Sequence, residues 1–214
     1  NEKIISSHIN LLPILMIAKL LNPTLKIFIS LHGIEAWKKF SLPYRYALKL
    51  FNFLPVSSYT LNNFLIKNNV NEDKLQLLYN TINIDVKTQS KNPLKQDEFN
   101  ILSVTRLDSN DSYKGVDSML KTIPLLVERI PNIKYTIIGK GDDKERLISL
   151  TQMLNIEKYV NFKGYVEFIE PYYQYCDVFT LPSKGEGFGI VYIEAMKYKK
   201  PCLACEEGGQ TDVV

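Results

Sequence analysis

The chain has 214 residues, 45% hydrophobic and 23% charged, enough apolar side chain for one large core or two small ones and too much for a disordered chain. Lys and Arg number 26 against 23 Asp and Glu, and a net charge of +3 is too even a mixture for the continuous basic face of a nucleic-acid binder. The sign differs between halves: 12 basic and 7 acidic residues precede Phe99 (+5), while 14 basic and 16 acidic follow (−2).

In chain order, Lys3 to Ser6, Leu25 to Ser30, Leu54 to Ser57 and Leu75 to Leu78 read as strands. Helices are expected at Leu11 to Leu21, Tyr44 to Leu50 and Tyr59 to Lys67. The apolar stretch Leu11 to Leu21 contains Pro13 and Lys19 and is shorter than the ~20 residues of a bilayer span. Asp85 to Glu98 is polar and lacks a periodic apolar face, so it reads as a linker between domains at 1–84 and 99–214.

Beyond the linker the pattern alternates. Ile101 to Val104, Tyr135 to Ile138, Val160 to Phe162, Val178 to Leu181 and Cys202 to Ala204 read as strands. Val116 to Arg129, Lys144 to Leu154, Glu167 to Tyr175 and Ile190 to Tyr198 read as helices, with Pro124 expected to bend the first of them. Such alternation predicts an α/β fold of parallel strands joined by right-handed crossovers, with ligands gathering at the carboxyl ends of the strands.

Three cysteines without an evident secretory signal fit a reducing compartment, so the expected location is cytoplasmic. Cys202 and Cys205 form a C-x-x-C, but a short strand there would point them to opposite faces, and no second pair completes a metal site.

The residues that carry chemistry lie at expected strand ends. From Leu181 to Glu194 a strand gives way to a glycine-rich turn and then a helix. Gly185, Gly187 and Gly189 would let backbone approach a ligand, and amides at a helix start favour phosphate or sugar oxygens. Glu186 and Glu194 are eight residues apart, about 12 Å if the span were helical, the reach of a sugar, diphosphate and ribose in line. An ordinary turn and a salt-bridged carboxylate remain the plainer alternatives.

Arg106 ends one strand and Lys114 precedes the next helix, where a diphosphate would need a guanidinium fork and a mobile ammonium. Gly139-Lys140-Gly141 follows another strand but lacks the third glycine of a dinucleotide fingerprint, leaving a platform for a nucleotide base or a plain turn. His32, before Gly33, ends a strand of the first half, and His8 has a similar setting.

In order and spacing these pieces resemble the retaining nucleotide-sugar glycosyltransferases of family 4, the group 1 type with the GT-B fold. The resemblance rests on Ser103-Val104-Thr105-Arg106-Leu107-Asp108, Lys114-Gly115-Val116-Asp117, Ile138 to Asp142, the Glu186 to Glu194 motif, Asp177-Val178-Phe179 and Gly208-Gly209. In the first half it rests on His32-Gly33-Ile34-Glu35, Val56-Ser57 and Tyr79-Asn80-Thr81-Ile82. It implies two Rossmann-like domains facing a cleft, both incomplete here: residues 1–84 from the acceptor side and 99–214 from the donor side.

The resemblance further implies a UDP- or GDP-sugar donor as co-substrate, with no other cofactor and no metal, and a glycan or lipid-linked acceptor. Arg106 and Lys114 would hold the diphosphate, Glu186 with Gly187, Phe188, Gly189 and Ile190 the donor sugar, and Glu194 the ribose. His32 would reach the sugar from across the cleft, and Gly139, Lys140, Gly141 and Val166 would lie near the base. The family's opening glycine-rich loop and terminal helices have no counterpart, so the stretch resembles an internal fragment expected to be inactive alone. The +5 first half and the segment Tyr44 to Leu50 extend the expectation to peripheral contact with the inner membrane surface. A noncatalytic nucleotide-binding module and a nucleotide-sugar epimerase are the alternatives.

Overall fold

The computed structural model describes residues 2–85 and 91–214. They form two compact units. The first comprises Asn1–Thr81, Glu186–Gly189 and Gly208–Val213, and the second Ile82–Gly185, Ile190–Glu207 and Val214. Two short segments late in the chain therefore group with the first half, which division by sequence order did not anticipate. Residues 86–90 of the expected linker lie outside the described residues.

In the first unit, β1 (Lys3–Ser6), β2 (Lys26–Leu31) and β3 (Asn52–Pro55) form a parallel sheet in that order. Central β2 turns Ile27, Ile29 and Leu31 into the core, each at most 1% exposed, on the two-residue period of a strand. Helices α1 (Leu12–Leu21) and α2 (Leu42–Leu48) each carry proline in the first turn, where no backbone donor is lost. Ser57 caps α3 (Ser58–Asn68), accepting from the Thr60 amide, and Asn69 ends it in a left-handed conformation. Phe64 of α3 packs 4.7 Å from Phe53 of β3, both fully buried.

The expected strand Leu75 to Leu78 does not form a full ladder. The Gln76 and Leu78 amides donate to Phe53 and Pro55, and Leu75 makes one isolated bridge to Phe53. Gln76 and Leu78 are exposed, so there is little burial to extend the pairing.

The second unit runs β4 (Phe99–Val104), α4 (Val116–Arg129), β5 (Ile133–Ile138), α5 (Lys144–Met153), β6 (Val160–Gly164), α6 (Glu170–Tyr175), β7 (Val178–Thr180), α7 (Ile190–Lys197) and β8 (Cys202–Leu203). All strands pair in parallel in the order β6-β5-β4-β7-β8. Beneath the sheet Leu120 and Ile123 of α4 and Leu147 of α5 cover Tyr135 and Ile137. The Tyr135 hydroxyl meets Ser103 Oγ at 2.8 Å, and Ser103 donates to the Thr180 carbonyl, tying β5, β4 and β7 together. Burial pushes the Tyr135 phenol far above its usual pKa, so it stays neutral.

Helix α4 spans the expected residues, with Pro124 inside it. One expectation needs correction: α6 starts at Glu170 rather than Glu167, because Pro171 suits only a first turn. Cys176, Cys202 and Cys205 are all free thiols, and burial pushes the Cys176 thiol up to about 12 and the Cys202 thiol up to about 11.

The turn after β5 crosses the chain leaving β4. The Leu107 amide donates to Lys140 and the Asp143 amide to Leu107, both within 3.0 Å. At Gly139, φ 150°, a Cβ would overlap the Thr105 carbonyl oxygen, and at Gly141 the Leu107 carbonyl oxygen. Gly139→Ala should therefore destabilise the protein by about 2 kcal/mol in thermal or urea unfolding. Ser149→Ala on the exposed face of α5 should stay within about 0.5 kcal/mol. Equal midpoints for the two variants would refute the close-packing account.

Candidate functional site

In the second unit the strand order reverses beside β4: β5 and β6 lie on one side, β7 and β8 on the other. At such a point the chains leaving two neighbouring strands pass to opposite faces of the sheet, the usual ligand position in open α/β folds. The loop after β4 carries Arg106, then a 3-10 turn over Ser109–Lys114, then Gly115 and α4. The loop after β7 joins it, the Lys184 amide donating to the Tyr113 carbonyl at 2.8 Å and Ser183 Oγ to the Lys114 carbonyl at 3.4 Å.

Arg106 pairs with Asp111 at 2.8 Å while 74% of its side chain stays exposed. Lys114 Nζ lies 5.1 Å from the centre of the Tyr113 ring. Arg106, Lys114, Asp111, Asp117, Asp143 and Arg146 line one small pocket, and Arg146 grips Asp143 through two bonds of 2.6 and 2.7 Å. Asp111 and Arg146 were not anticipated from sequence; neither belongs to a motif whose spacing would single it out. Ser109 donates through its amide and hydroxyl to Asp142, holding that carboxyl below its usual pKa.

Glu194 lies in the second turn of α7, and its Oε2 accepts from the Tyr173 hydroxyl at 2.8 Å. Burial, reinforced by the charge of Glu194, drives the Tyr173 phenol far above its usual pKa, so it remains a neutral donor. Both residues line a pocket of about 220 Å³ with Asn83, Glu170, Lys197 and Tyr198. Helix α7 begins only at Ile190, so Glu186 lies in the preceding turn and the 12 Å helical spacing expected for the two acids does not apply. Lys140 Nζ sits 5.3 Å from the centre of the Tyr165 ring, next to the half-buried Val166. Gly139 and Gly141 press on the backbone leaving β4, so close packing accounts for both glycines.

In the first unit His32 follows β2, its Nε2 2.7 Å from the Ser7 carbonyl. Its ring stacks on His8 with centroids 6.1 Å apart. Glu35 Oε1 accepts from the His32 and Gly33 amides at 2.6 and 3.2 Å, fixing the turn. Against that turn lies Gly187, where any Cβ would overlap the His32 carbonyl oxygen. The Gly187 carbonyl accepts from Ser57 Oγ at 2.6 Å, and the Glu186 backbone pairs with the Gly209 amide and, at 3.2 Å, with Gln210 Oε1. Asp212 accepts from the Ser58 amide at 2.6 Å, and Phe188 lies 6.0 Å from Tyr79 ring to ring. His32, Glu186 and Gly187 to Gly189 are thus gathered in one unit. Sequence had flagged Ser57 and Gly208-Gly209 without indicating what they hold.

Among the described residues no three His, Cys, Asp or Glu side chains gather as a metal cluster. No helix among them is long and apolar enough to cross a membrane.

A five-stranded parallel sheet with reversed strand order and cations on the loop after its central strand places the second unit among the open α/β folds. Residues 85–214 match the family Glycosyl transferases group 1, and the chain belongs to that family. It is 38% identical over 121 residues to an uncharacterized glycosyltransferase of Haemophilus influenzae, an alignment covering 55% of this chain and 33% of that protein. It is 31% identical over 112 residues to an alpha-monoglucosyldiacylglycerol synthase of Acholeplasma laidlawii, covering 51% and 27%. The whole chain superimposes on 62% of Anabaena Alr3699/HepE, solved in complex with UDP, with a TM-score of 0.83 at 22% identity. The fold is therefore that of the GT-B glycosyltransferases. The chain spans about a third of the length of the curated relatives it matches.

Because Ser57 both caps α3 and donates to Gly187, Ser57→Ala should cost about 1–2 kcal/mol, and Ser57→Thr, which keeps the hydroxyl, should recover most of it. Urea unfolding checks this; an alanine variant as stable as wild type would refute the double role.

Proposed function

We propose that the protein transfers a sugar from a nucleoside diphosphate donor to a glycan or lipid-linked acceptor with retention of configuration, in the synthesis of cell-surface polysaccharide or glycoconjugate. The reading adds detail to membership of the group 1 family, and family 4 is the group whose motifs it matches. The observation that carries it is the meeting of the β4 and β7 loops at the strand-order reversal, with Arg106 and Lys114 on the first. UDP in the Anabaena structure supports a nucleoside diphosphate as the donor class.

Under this reading residues 82–185 are the core of the donor-binding unit. Arg106 and Lys114 bind the diphosphate, Glu194 the ribose hydroxyls, and the loop around Lys140, Gly141 and Val166 lies near the base. Glu186, with Gly187, Phe188, Gly189 and Ile190, holds the sugar, and His32 contacts it from the turn after β2. The acceptor hydroxyl oxygen bonds to the anomeric carbon on the face that the diphosphate leaves. As the bond from that carbon to the phosphate oxygen breaks, the departing phosphate takes the hydroxyl proton. Charge grows on the leaving diphosphate, so positioned cations and amides contribute most to the rate.

Charge-assisted contacts of about 1.5–3 kcal/mol mean that Arg106→Ala should weaken UDP or GDP binding about tenfold or more while sparing the free nucleoside. Calorimetry with equal losses for both would overturn the diphosphate role. Glu194→Gln should weaken nucleotide binding through the ribose, whereas Glu186→Gln should spare it and impair transfer, monitored by mass spectrometry of product from a panel of nucleotide sugars. Wild-type turnover by Glu186→Gln would remove the sugar contact.

Helix α2 supports peripheral contact with an anionic membrane surface: Leu42, Tyr46 and Leu50 are more than half exposed beside Arg45 and Lys49. Cosedimentation with phosphatidylglycerol vesicles should fall as salt is raised, and no binding at low salt would exclude that contact.

A further inference from the structure

The first unit contains a pocket of about 390 Å³ between the turn that opens α1 and the segment leading into α2. That volume lies within the range of small-ligand sites, ~300–1,000 Å³. Its inner surface is apolar, with Ile9 and Leu12 at 1% and 2% exposure and Pro13 and Phe40 beside them. Lys38 and Lys39 also line it, and none of its described lining residues is acidic. Asn10, Ser41 and Tyr44 add neutral polar groups.

The lysine segment is held in place from below. Asn68, 1% exposed in the last turn of α3, accepts from the Phe40 amide at 2.9 Å and donates to the Lys38 carbonyl at 3.1 Å. Lys38 Nζ lies 5.4 Å from the centre of the Phe40 ring, so its stem follows the aromatic wall while its charge stays at the rim. The opposite wall begins at Ile9. The residue before it, His8, accepts at Nδ1 from the Asn10 amide at 3.1 Å, and its ring stacks on His32. The lining residue Asn10 is thus linked through His8 to the turn proposed to meet the donor sugar.

An apolar surface next to two ammonium groups selects against a neutral glycan, which would bury hydroxyls without partners, and against a free anion, which would leave the apolar wall wet. It fits a molecule with a compact anionic group attached to a hydrocarbon chain. We infer that this pocket binds a phosphate-bearing lipid, its phosphate on Lys38 and Lys39 and the first part of its chain against Ile9, Leu12 and Phe40. Resting on the transferase reading, that lipid is the acceptor.

The test is calorimetric titration of the protein with octyl phosphate below its micelle threshold, octan-1-ol and inorganic phosphate, with UDP titrated into the same preparations. Octyl phosphate should bind at least tenfold more tightly than either of the other two. Lys38→Gln combined with Lys39→Gln should weaken octyl phosphate about tenfold or more and leave UDP unchanged, and Ser41→Trp, which fills the pocket, should abolish octyl phosphate binding. Octyl phosphate no tighter than inorganic phosphate, or unaffected by either variant, overturns the site. Failure of the wild-type protein to bind UDP or any other nucleoside diphosphate would instead count against the transferase reading, since the lipid titration does not depend on it.

Discussion

The second unit depends on a single constraint: parallel strands joined by right-handed crossovers leave every strand-to-helix loop at one edge, and only where the order reverses do the chains leaving two neighbouring strands pass to opposite faces of the sheet. Here the reversal falls between β4 and β7. Every basic group with a proposed diphosphate role follows β4, whose strand is tied to both neighbours by the Ser103, Tyr135 and Thr180 network. The Arg106–Asp111 pair is uneven: 74% of the arginine side chain is exposed, whereas the Asp111 side chain is only 11% exposed. Asp143 and Arg146, less exposed and doubly bonded, serve to hold the pocket wall.

The first unit builds its turn from backbone. Gly187 lies so close to the His32 carbonyl that no side chain fits, and its own carbonyl is taken by Ser57. The same serine closes the first turn of α3, so helix capping and placement of the glycine turn are coupled.

Much of the architecture was legible in the sequence because local signals agreed. The apolar alternation of Ile27, Ile29 and Leu31, the prolines opening α1 and α2, and Ser57 before α3 each mark an element by its own chemistry. The glycine turn after β7 and the cations after β4 were legible as motifs. What could not be read depends on pairings distant in sequence: Tyr173 with Glu194, Ser57 with Gly187, Asp212 with the Ser58 amide. Leu75 to Leu78 has strand-like composition, yet strand formation is decided by neighbours and burial. Helix α4 was legible in spite of Pro124, because Leu120 and Ile123 hold its apolar face in the core.

The partner chosen for Glu194 matters for the role proposed for it. A carboxylate away from water needs hydrogen bonds, and an ion pair with a lysine would also supply them. A cation, however, would compete with ribose hydroxyls for the same oxygens and weaken their attraction to the negative charge. Tyr173 is kept neutral by burial, so it donates one hydrogen bond to Oε2 without cancelling the charge. Each carboxylate oxygen can accept more than one donor. Glu194 therefore keeps acceptor positions for two vicinal hydroxyls, an arrangement suited to a ribose and poorly suited to a phosphate. This separates its proposed work from that of Arg106 and Lys114 on chemical grounds.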